Sequence, residues 1–398
     1  MMRYITADYI FPISSEPIKN GIIEIDDFGT IIGIYPPSEE TRNPKPETFS
    51  GFICPGFVNA HCHLELSHMK GVISEKLGMA GFIKNMVAQR NKFSKEEIQK
   101  GIEAGEKEML ENGIVAVGDI SNDDSTFEVK KKGNLKYHTF LEVFDIDPAK
   151  STTIFEQALQ LKTRNPKLET SIVPHSPYTV TPQLFKLIKE RQSDAIISIH
   201  NQESEAENEL FENKTGAIAN QFNEMGIDLS YITIGKNSLQ SILPILPNDN
   251  KTVFVHNIYT CKEDVVFCKT FFNTKPETRN PKLFFCFCPS ANLYIENKLP
   301  DYQLFVDTNV KCVIGTDSLA SNHQLNILEE LKIISKADSE IPLDTLLTWA
   351  TLNGAELLGF ENELGSIEQG KKPGLVLIEN VDTENMLLTE KSKPRRII

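Results

Sequence analysis

No stretch of this 398-residue chain approaches the roughly 18 to 20 apolar residues that a bilayer-spanning helix needs. The first residues are not expected to form a secretory leader either. Met1 to Ser14 contain Arg3 but no long apolar core, because Asp8 interrupts it, and the segment reads as a β-strand. Seven cysteines, an odd number in so long a chain, do not make a disulfide framework and fit a reducing compartment. Positive charge is also short: 41 Lys and Arg against 55 Asp and Glu leave a net charge of −14. That balance argues against nucleic acid or an anionic membrane as the main partner. No Gly-rich nucleotide turn follows the first strand of the central region, which counts against a dinucleotide-binding open sheet. With 40% hydrophobic and 24% charged residues, the composition is that of an ordinary globular protein, expected in the cytoplasm.

What is present begins with His61-Cys62-His63. An apolar run, Phe57-Val58, precedes the triplet behind Pro55-Gly56, so both histidines ride on the end of an expected strand. Alternate residues of a strand point the same way, so the two imidazoles can aim at one point. Apolar strand-like runs then alternate with helical patterns, the mark of a parallel α/β fold. The runs are 57–61, 114–120, 135–143, 170–174, 195–200, 252–256, 283–288 and 310–316. Helical patterns over Ile98 to Leu110, Pro182 to Glu190, Ile327 to Ser335 and Leu343 to Leu358 intervene. Eight such units predict a (β/α)8 TIM barrel over residues 55–361. Short β-like pieces remain at both ends: Tyr4-Ile5, Gly21 to Ile25 and Thr30 to Tyr35, then Leu364 to Ile367, Gly374 to Ile378 and Arg395 to Ile398. Neither end buries much alone, and residues 1–54 plus 362–398 are expected to join as one composite β-sandwich, with a hairpin turn at Asp26 to Gly29. Thr-Arg-Asn-Pro-Lys recurs at 41–45, 163–167 and 278–282, each time ahead of a proposed strand, and reads as an exposed loop on the face opposite an active site.

Ionisable residues gather at the ends of the expected strands. His61 and His63 end the first, His175 follows the fourth, His200 ends the fifth, His256 the sixth and Asp317 the eighth. In a barrel those ends converge on one mouth. Any one histidine alone would be a satisfied structural residue; six groups on one face make a metal site in an enzyme.

These residues also carry a resemblance. Pro55-Gly56-Phe57-Val58-Asn59-Ala60-His61-Cys62-His63 is similar to the first-strand motif of the amidohydrolase superfamily. Pro174 to Tyr178, His200-Asn201-Gln202-Glu203, Pro289 to Asn292 and Gly315 to Asn322 resemble the aminohydrolase and chlorohydrolase branch, which includes guanine, adenosylhomocysteine and aminodeoxyfutalosine deaminases. The resemblance covers nearly the whole chain and implies one divalent metal, zinc or sometimes iron, on His61, His63, His200 and Asp317. Binuclear relatives use a lysine or glutamate bridge; the fourth strand here ends in His175, so one metal is expected, with Glu142 the only other candidate ligand and otherwise a polar rim residue.

Such a metal lowers the pKa of its water from about 16 towards roughly 7. Asp317 and His256 would orient the water and accept its proton, and Glu203, protonated at some stage, would donate to a ring nitrogen and then to leaving ammonia. Read blandly, Glu203 only opens a solvated acidic run through Glu205, Glu207 and Glu209. His175 is placed where family members contact substrate. Leu64 to Ser67 resembles the segment of aminodeoxyfutalosine deaminases, so Glu65 is a candidate for a ribose hydroxyl or base edge, against a structural role. Arg90 is a candidate for a substrate carboxylate, against a solvated helix end, and His68, Cys286 and Cys288 read as structural. The expectation is a metal-dependent hydrolase of non-peptide C–N bonds that deaminates an amino-substituted purine or related heterocycle, with aminodeoxyfutalosine one nucleoside of that type. The rivals are hydrolysis of another C–N or a C–halide bond, as in a triazine, and a non-catalytic binding protein. Expected partners are a small heterocycle and water, not nucleic acid or membrane, with a homodimer compatible with the family.

Overall fold

The computed structural model describes residues 2–37, 45–193, 195–273 and 282–398. Short strands come first: β1 (Arg3–Thr6), β2 (Tyr9–Ile10), β3 (Ile18–Lys19), β4 (Ile22–Ile25), β5 (Ile31–Tyr35), β6 (Glu47–Thr48) and β7 (Phe52–Pro55). Eight strands of the central region follow: β8 (Phe57–Cys62), β9 (Ile114–Ser121), β10 (Lys136–Val143), β11 (Glu169–Pro174), β12 (Ile197–Asn201), β13 (Thr252–His256), β14 (Leu283–Phe287) and β15 (Lys311–Ile314). The chain ends with β16 (Leu375–Glu379) and β17 (Lys393–Arg396). Helices fill the gaps between the central strands. They include α1 (Gly78–Gln89) and α2 (Lys95–Glu111) before β9, α3 (Phe127–Lys131), α4 (Ser151–Arg164), α5 (Pro182–Arg191), and α6 (Glu205–Asn213) just after β12.

The central strands pair in parallel in the orders β8-β9-β10-β11 and β12-β13-β14-β15. Two seams close the ring. His200 N donates to His175 O at 2.9 Å, and the amides of Thr316 and Asp317 donate to His61 O at 3.0 and 3.1 Å. Helices cover the outside and side chains fill the inside, so these strands are buried on both faces and read as unbroken apolar runs. Every residue of β13 and β14 is buried. Val58, Ala60, Phe140, Val173, Val253, Phe284 and Val313 belong to one buried cluster fed by these strands. The helix starts are encoded locally. Ser94 and Glu97 form a reciprocal capping box ahead of α2, and Thr181 caps α5 with Pro182 in its first turn.

The terminal strands make two further sheets, β5-β4-β1-β6 and β17-β16-β7-β2-β3, the second drawn from both chain ends. Ile5, Ile10, Ile23, Ile25, Ile31, Ile53, Leu375 and Leu377 from the two sheets share one buried cluster. The protein is therefore an α/β chain, a (β/α)8 barrel with a small β-sandwich assembled from both termini. Asp26 makes the hairpin turn between β4 and β5, its Oδ1 accepting from the amides of Phe28 and Thr30, both at 2.8 Å. Gly56 joins sandwich to barrel where a Cβ would lie 2.3 Å from Val115 and 2.8 Å from Pro373 O.

Three sequence expectations fare differently. Leu343 to Leu358 is not one helix but two, Leu343–Ala350 and Leu352–Leu358, broken at Thr351 (φ −134°, ψ −85°). The break lets Asn353 bond Cys312 O at 2.8 Å and brings Gly354 against Val58, an arrangement that a straight helix could not make. Leu364 to Ile367 is not a strand; Gly365 turns there with φ 86° against Leu352. Of the repeated segments, 163–167 closes α4 and is exposed apart from Asn165, whereas 41–45 and 278–282 lie outside the described residues except for Lys45 and Lys282.

Candidate active site at the barrel mouth

The barrel delivers its polar residues to one end. His61 lies in β8 and His63 just beyond it, His175 follows β11, His200 lies in β12, His256 ends β13 and Asp317 comes after β15. Ligating atoms of His61, His63, His200 and Asp317 all fall within 4.8 Å of one another, and all four residues are buried. Nε2 of His61 and His63 face each other at 3.1 Å, and Asp317 Oδ1 stands 3.6 and 3.3 Å from them. A tetrahedral zinc site with bonds near 2.0–2.1 Å has ligand–ligand edges of about 3.3 Å. The donor set therefore fits such an ion in both chemistry and spacing. Burial pushes His63 down to about 4, against the field of Asp317, so the imidazole is neutral and can offer a lone pair. His200 is likewise held well below the ordinary range, by burial first and then by the neighbouring histidines. Its tautomer is set by Nδ1, which meets His175 O at 2.8 Å and leaves Nε2 for the cluster.

Glu142, His175 and His200 form a second close group. Glu142 Oε1 lies 3.6 Å from His200 Nδ1, but that nitrogen is already engaged with His175 O. A second ion there would have to break the bond that orients His200. Among the described residues no metal-type cluster contains Cys286 or Cys288.

A proton-handling pair adjoins the donors. Glu203 Oε1 is 3.4 Å from His256 Nε2, and His256 Nδ1 meets Asn292 Oδ1 at 2.8 Å. With Nδ1 carrying the hydrogen, Nε2 is the accepting atom, and it has no hydrogen-bond partner among the described residues. Burial pushes His256 down to about 4, partly countered by Asp317. Glu203 moves the other way, raised well above the usual carboxyl range by burial and then by the charges of Asp317, Glu207 and Glu296. Burial would raise Asp317 too, but its approach to His61 and the fields of His63 and His256 prevail and hold it ionised. Ser321 donates to Asp317 Oδ2 at 2.5 Å. Gln202, His256 and Asp317 all adopt left-handed φ, 45°, 77° and 56°, a conformation uncommon for side-chain-bearing residues.

These groups open onto a cavity of about 250 Å³. Its far wall is apolar: Met79, Phe82, Ile83 and Met86 of α1, with Leu66 and Phe222. Arg90, His175, Asn122 and Glu142 also line it. Glu65 does not. Its Oε2 accepts from Asn122 N at 2.9 Å, and the Asn122 side chain donates to Glu142 Oε2 at 3.0 Å, so Glu65 stands one residue behind the wall. Burial pushes Glu65 up to about 8. His68 packs on Phe93 and bonds Glu65 O at 3.1 Å, away from the cavity. Sequence reasoning assigned no part to Asn292 or Ser321, although both lie in the motif segments that carry the resemblance. The α1 wall was missed because only its place in space, not its pattern, sets it over the mouth.

The sequence profile of the amidohydrolase family matches residues 52–396. The chain belongs to that family. An adenosine deaminase of Helicobacter pylori is 27% identical over 368 residues, covering 89% of this chain and 84% of the relative. The solved aminofutalosine deaminase of Helicobacter pylori, in complex with methylthio-coformycin, superposes with a TM-score of 0.78 at 24% identity, over 96% of this chain and 94% of that one. An adenosine deaminase of Xanthomonas campestris, solved with bound zinc, gives a TM-score of 0.70 at 20% identity, over 97% and 88%. At such identities the solved structures speak for the fold, and the chemistry must come from the site.

Proposed function

We propose that this protein is a metal-dependent aminohydrolase that deaminates an amino-substituted purine or related nitrogen heterocycle, nucleosides such as aminodeoxyfutalosine included. The observation that carries the reading is Glu203, a buried carboxyl 3.4 Å from His256 on the wall of the same cavity as the His61, His63, His200 and Asp317 cluster. That named deaminases are among the relatives adds support. His61, His63, His200 and Asp317 would hold one divalent transition metal, with zinc favoured by the mixed nitrogen and oxygen donors and their spacing. When bound, the ion supplies Lewis acidity and brings the pKa of a coordinated water to about 7.

The chain's own residues supply the rest. Asp317, ionised and pinned by Ser321, and neutral His256, a residue of the cavity wall whose Nε2 is without a hydrogen-bond partner among the described residues, orient the attacking water and accept its proton. Attack at the amino-bearing ring carbon needs a proton on the adjacent ring nitrogen, and Glu203, kept protonated by burial, donates it. The proton taken from the water by Asp317 or His256 then passes to the Glu203 carboxylate left behind and from it to the departing amine. The carbon–nitrogen bond breaks, ammonia leaves and the ring carbon keeps the water's oxygen. His175 and Arg90 are assigned to substrate binding from the cavity wall, and Glu65 to the same task at one remove, through Asn122 and Glu142.

We also infer a division into a composite sandwich, 1–54 with 362–398, and a catalytic barrel, 55–361, supported by a buried cluster drawn from the two terminal segments alone, although Phe11, Phe52, Cys54, Val376 and Ile378 also pack into the barrel core. A cytoplasmic location is supported by free cysteines throughout. The functional test is an ammonia-release screen of metal-loaded protein over adenine nucleosides, guanine, aminodeoxyfutalosine and pterins. Release from one of them is expected; silence across all of them overturns deamination.

A further inference from the structure

Glu203 projects from a turn that β12 cannot hold unaided. The strand ends at Asn201, Gln202 takes a left-handed φ of 45°, and α6 begins at Glu205 behind its cap Ser204. Glu207 occupies the third position of α6, where a capping-box glutamate ordinarily reaches back to the amide of the cap residue. Here the carboxylate passes the cap by. Its Oε1 accepts from Gln202 N at 2.9 Å and its Oε2 from Glu203 N at 3.3 Å. A favourable charge at a helix start can sit in water, as exposed Glu205 does in the same turn. Glu207 is instead 1% exposed, a costly place for a carboxylate unless its bonds matter.

The other side of the turn is fixed by different residues. The Gln202 side chain accepts from Thr260 Oγ1 at 2.6 Å and donates to Asp264 Oδ2 at 3.1 Å, while its carbonyl accepts from Tyr259 N at 3.1 Å. All of these bonds stop at Gln202. The Glu203 amide bonds to Glu207, so Glu207 controls the last backbone step before the carboxyl that faces His256.

We propose that Glu207 is the positioning residue for Glu203, its two backbone hydrogen bonds holding the 202–203 turn so that the Glu203 carboxyl meets His256 in the cavity. The inference rests on the proton-donor role assigned to Glu203 above, and it adds a residue that acts without touching substrate.

The test uses full-length, metal-loaded Glu207→Ala and Glu207→Gln beside wild type. Each is crystallised and assayed for ammonia release from adenosine, 5′-methylthioadenosine and aminodeoxyfutalosine. In Glu207→Ala the metal content should be unchanged, and the Glu203 carboxyl should swing out of reach of His256. For the substrate turned over, kcat should fall about 100-fold, the scale of a misplaced catalytic group, with KM moving less than about threefold. Glu207→Gln, which keeps one acceptor, should lie between the two. In a Glu203→Gln background, Glu207→Ala should cause no further loss, because the two residues act as one unit. The proposal is overturned if Glu207→Ala leaves Glu203 against His256 with near-normal kcat, even with a lower Tm, since the residue would then serve only the helix start. Should the alanine variant fail to fold, the isosteric glutamine variant decides by the same geometry and the same kcat. If wild type releases ammonia from none of the probes, deamination is wrong, and the variant structures still decide this point: Glu203 displaced supports it, and Glu203 in place contradicts it.

Discussion

Between the two terminal sheets Ile5, Ala7, Ile10, Ile23, Ile25, Ile31, Ile53, Ile367, Leu375 and Leu377 pack together, and among the described residues of 1–54 and 362–398 no ionisable Asp, Glu, Lys, Arg or His is buried. Charges there sit on the rim in pairs such as Arg3 with Glu47 at 3.0 Å and Arg395 with Glu379 at 3.2 Å. At the barrel mouth the pattern inverts. His61, His63, Glu65, Glu142, His200, Glu203, Glu207, His256 and Asp317 are all buried, and Gln202, His256 and Asp317 hold left-handed backbone. The first arrangement is what burial of apolar surface selects unaided. The second opposes it, because every buried ionisable group must be neutralised, bonded or matched to an ion. Stability and chemistry are thus written in different regions, and perturbing each should produce different failures.

The largest expected effect is at the mouth. Removing metal with a chelator should abolish turnover, and adding back zinc should restore it, with metal analysis giving close to one ion per chain; two ions per chain would require a different use of Glu142. Next comes Ile25→Ala in the sandwich core. It should cost about 2–5 kcal/mol of stability by denaturant titration while leaving kcat/KM of the surviving folded protein unchanged, and a fall in kcat/KM would show that the regions are not separable.

A smaller effect concerns pH. Burial pushes Glu330 up to about 7, against hydrogen bonds from Ser290 N and Asn322. An unfolded glutamate titrates near ~4.3, so between those values the native state holds a proton that the unfolded chain has released. The stability from this group is full below the lower value and is lost as pH rises through about 7. Glu330→Gln should therefore flatten the decline of Tm across that window; an unchanged slope would contradict it. The smallest effect should be Arg3→Ala on the sandwich rim, under about 0.5 kcal/mol by the same titration, since an exposed pair contributes little.

Much of the barrel was legible in the chain because strands buried on both faces must be continuously apolar. The expected run 283–288 is the strand Leu283–Phe287. The last run was read as 310–316 but the regular strand stops at Ile314, and the amides of Thr316 and Asp317 bond across to His61 O of β8 at the seam. What could not be read depends on distant partners. Thr351 breaks a helix whose pattern runs on, because Asn353 finds Cys312. Glu65 is drawn from the cavity by the amide of Asn122, and Glu207 leaves the acidic run for two backbone amides. In the site, the histidines and Asp317 were visible as strand-end residues, but the groups that aim them, Asn292, Ser321 and the carbonyl of His175, are defined only by their place in the folded chain.

The most direct measurement compares ammonia release by zinc-loaded wild type and Glu203→Gln over the same panel of amino-substituted purines and nucleosides. The account predicts release by wild type, a loss of about 10³-fold or more in the variant, and equal metal content in both. Zinc-loaded wild type that releases no ammonia, or a variant that matches it, would contradict the central claim.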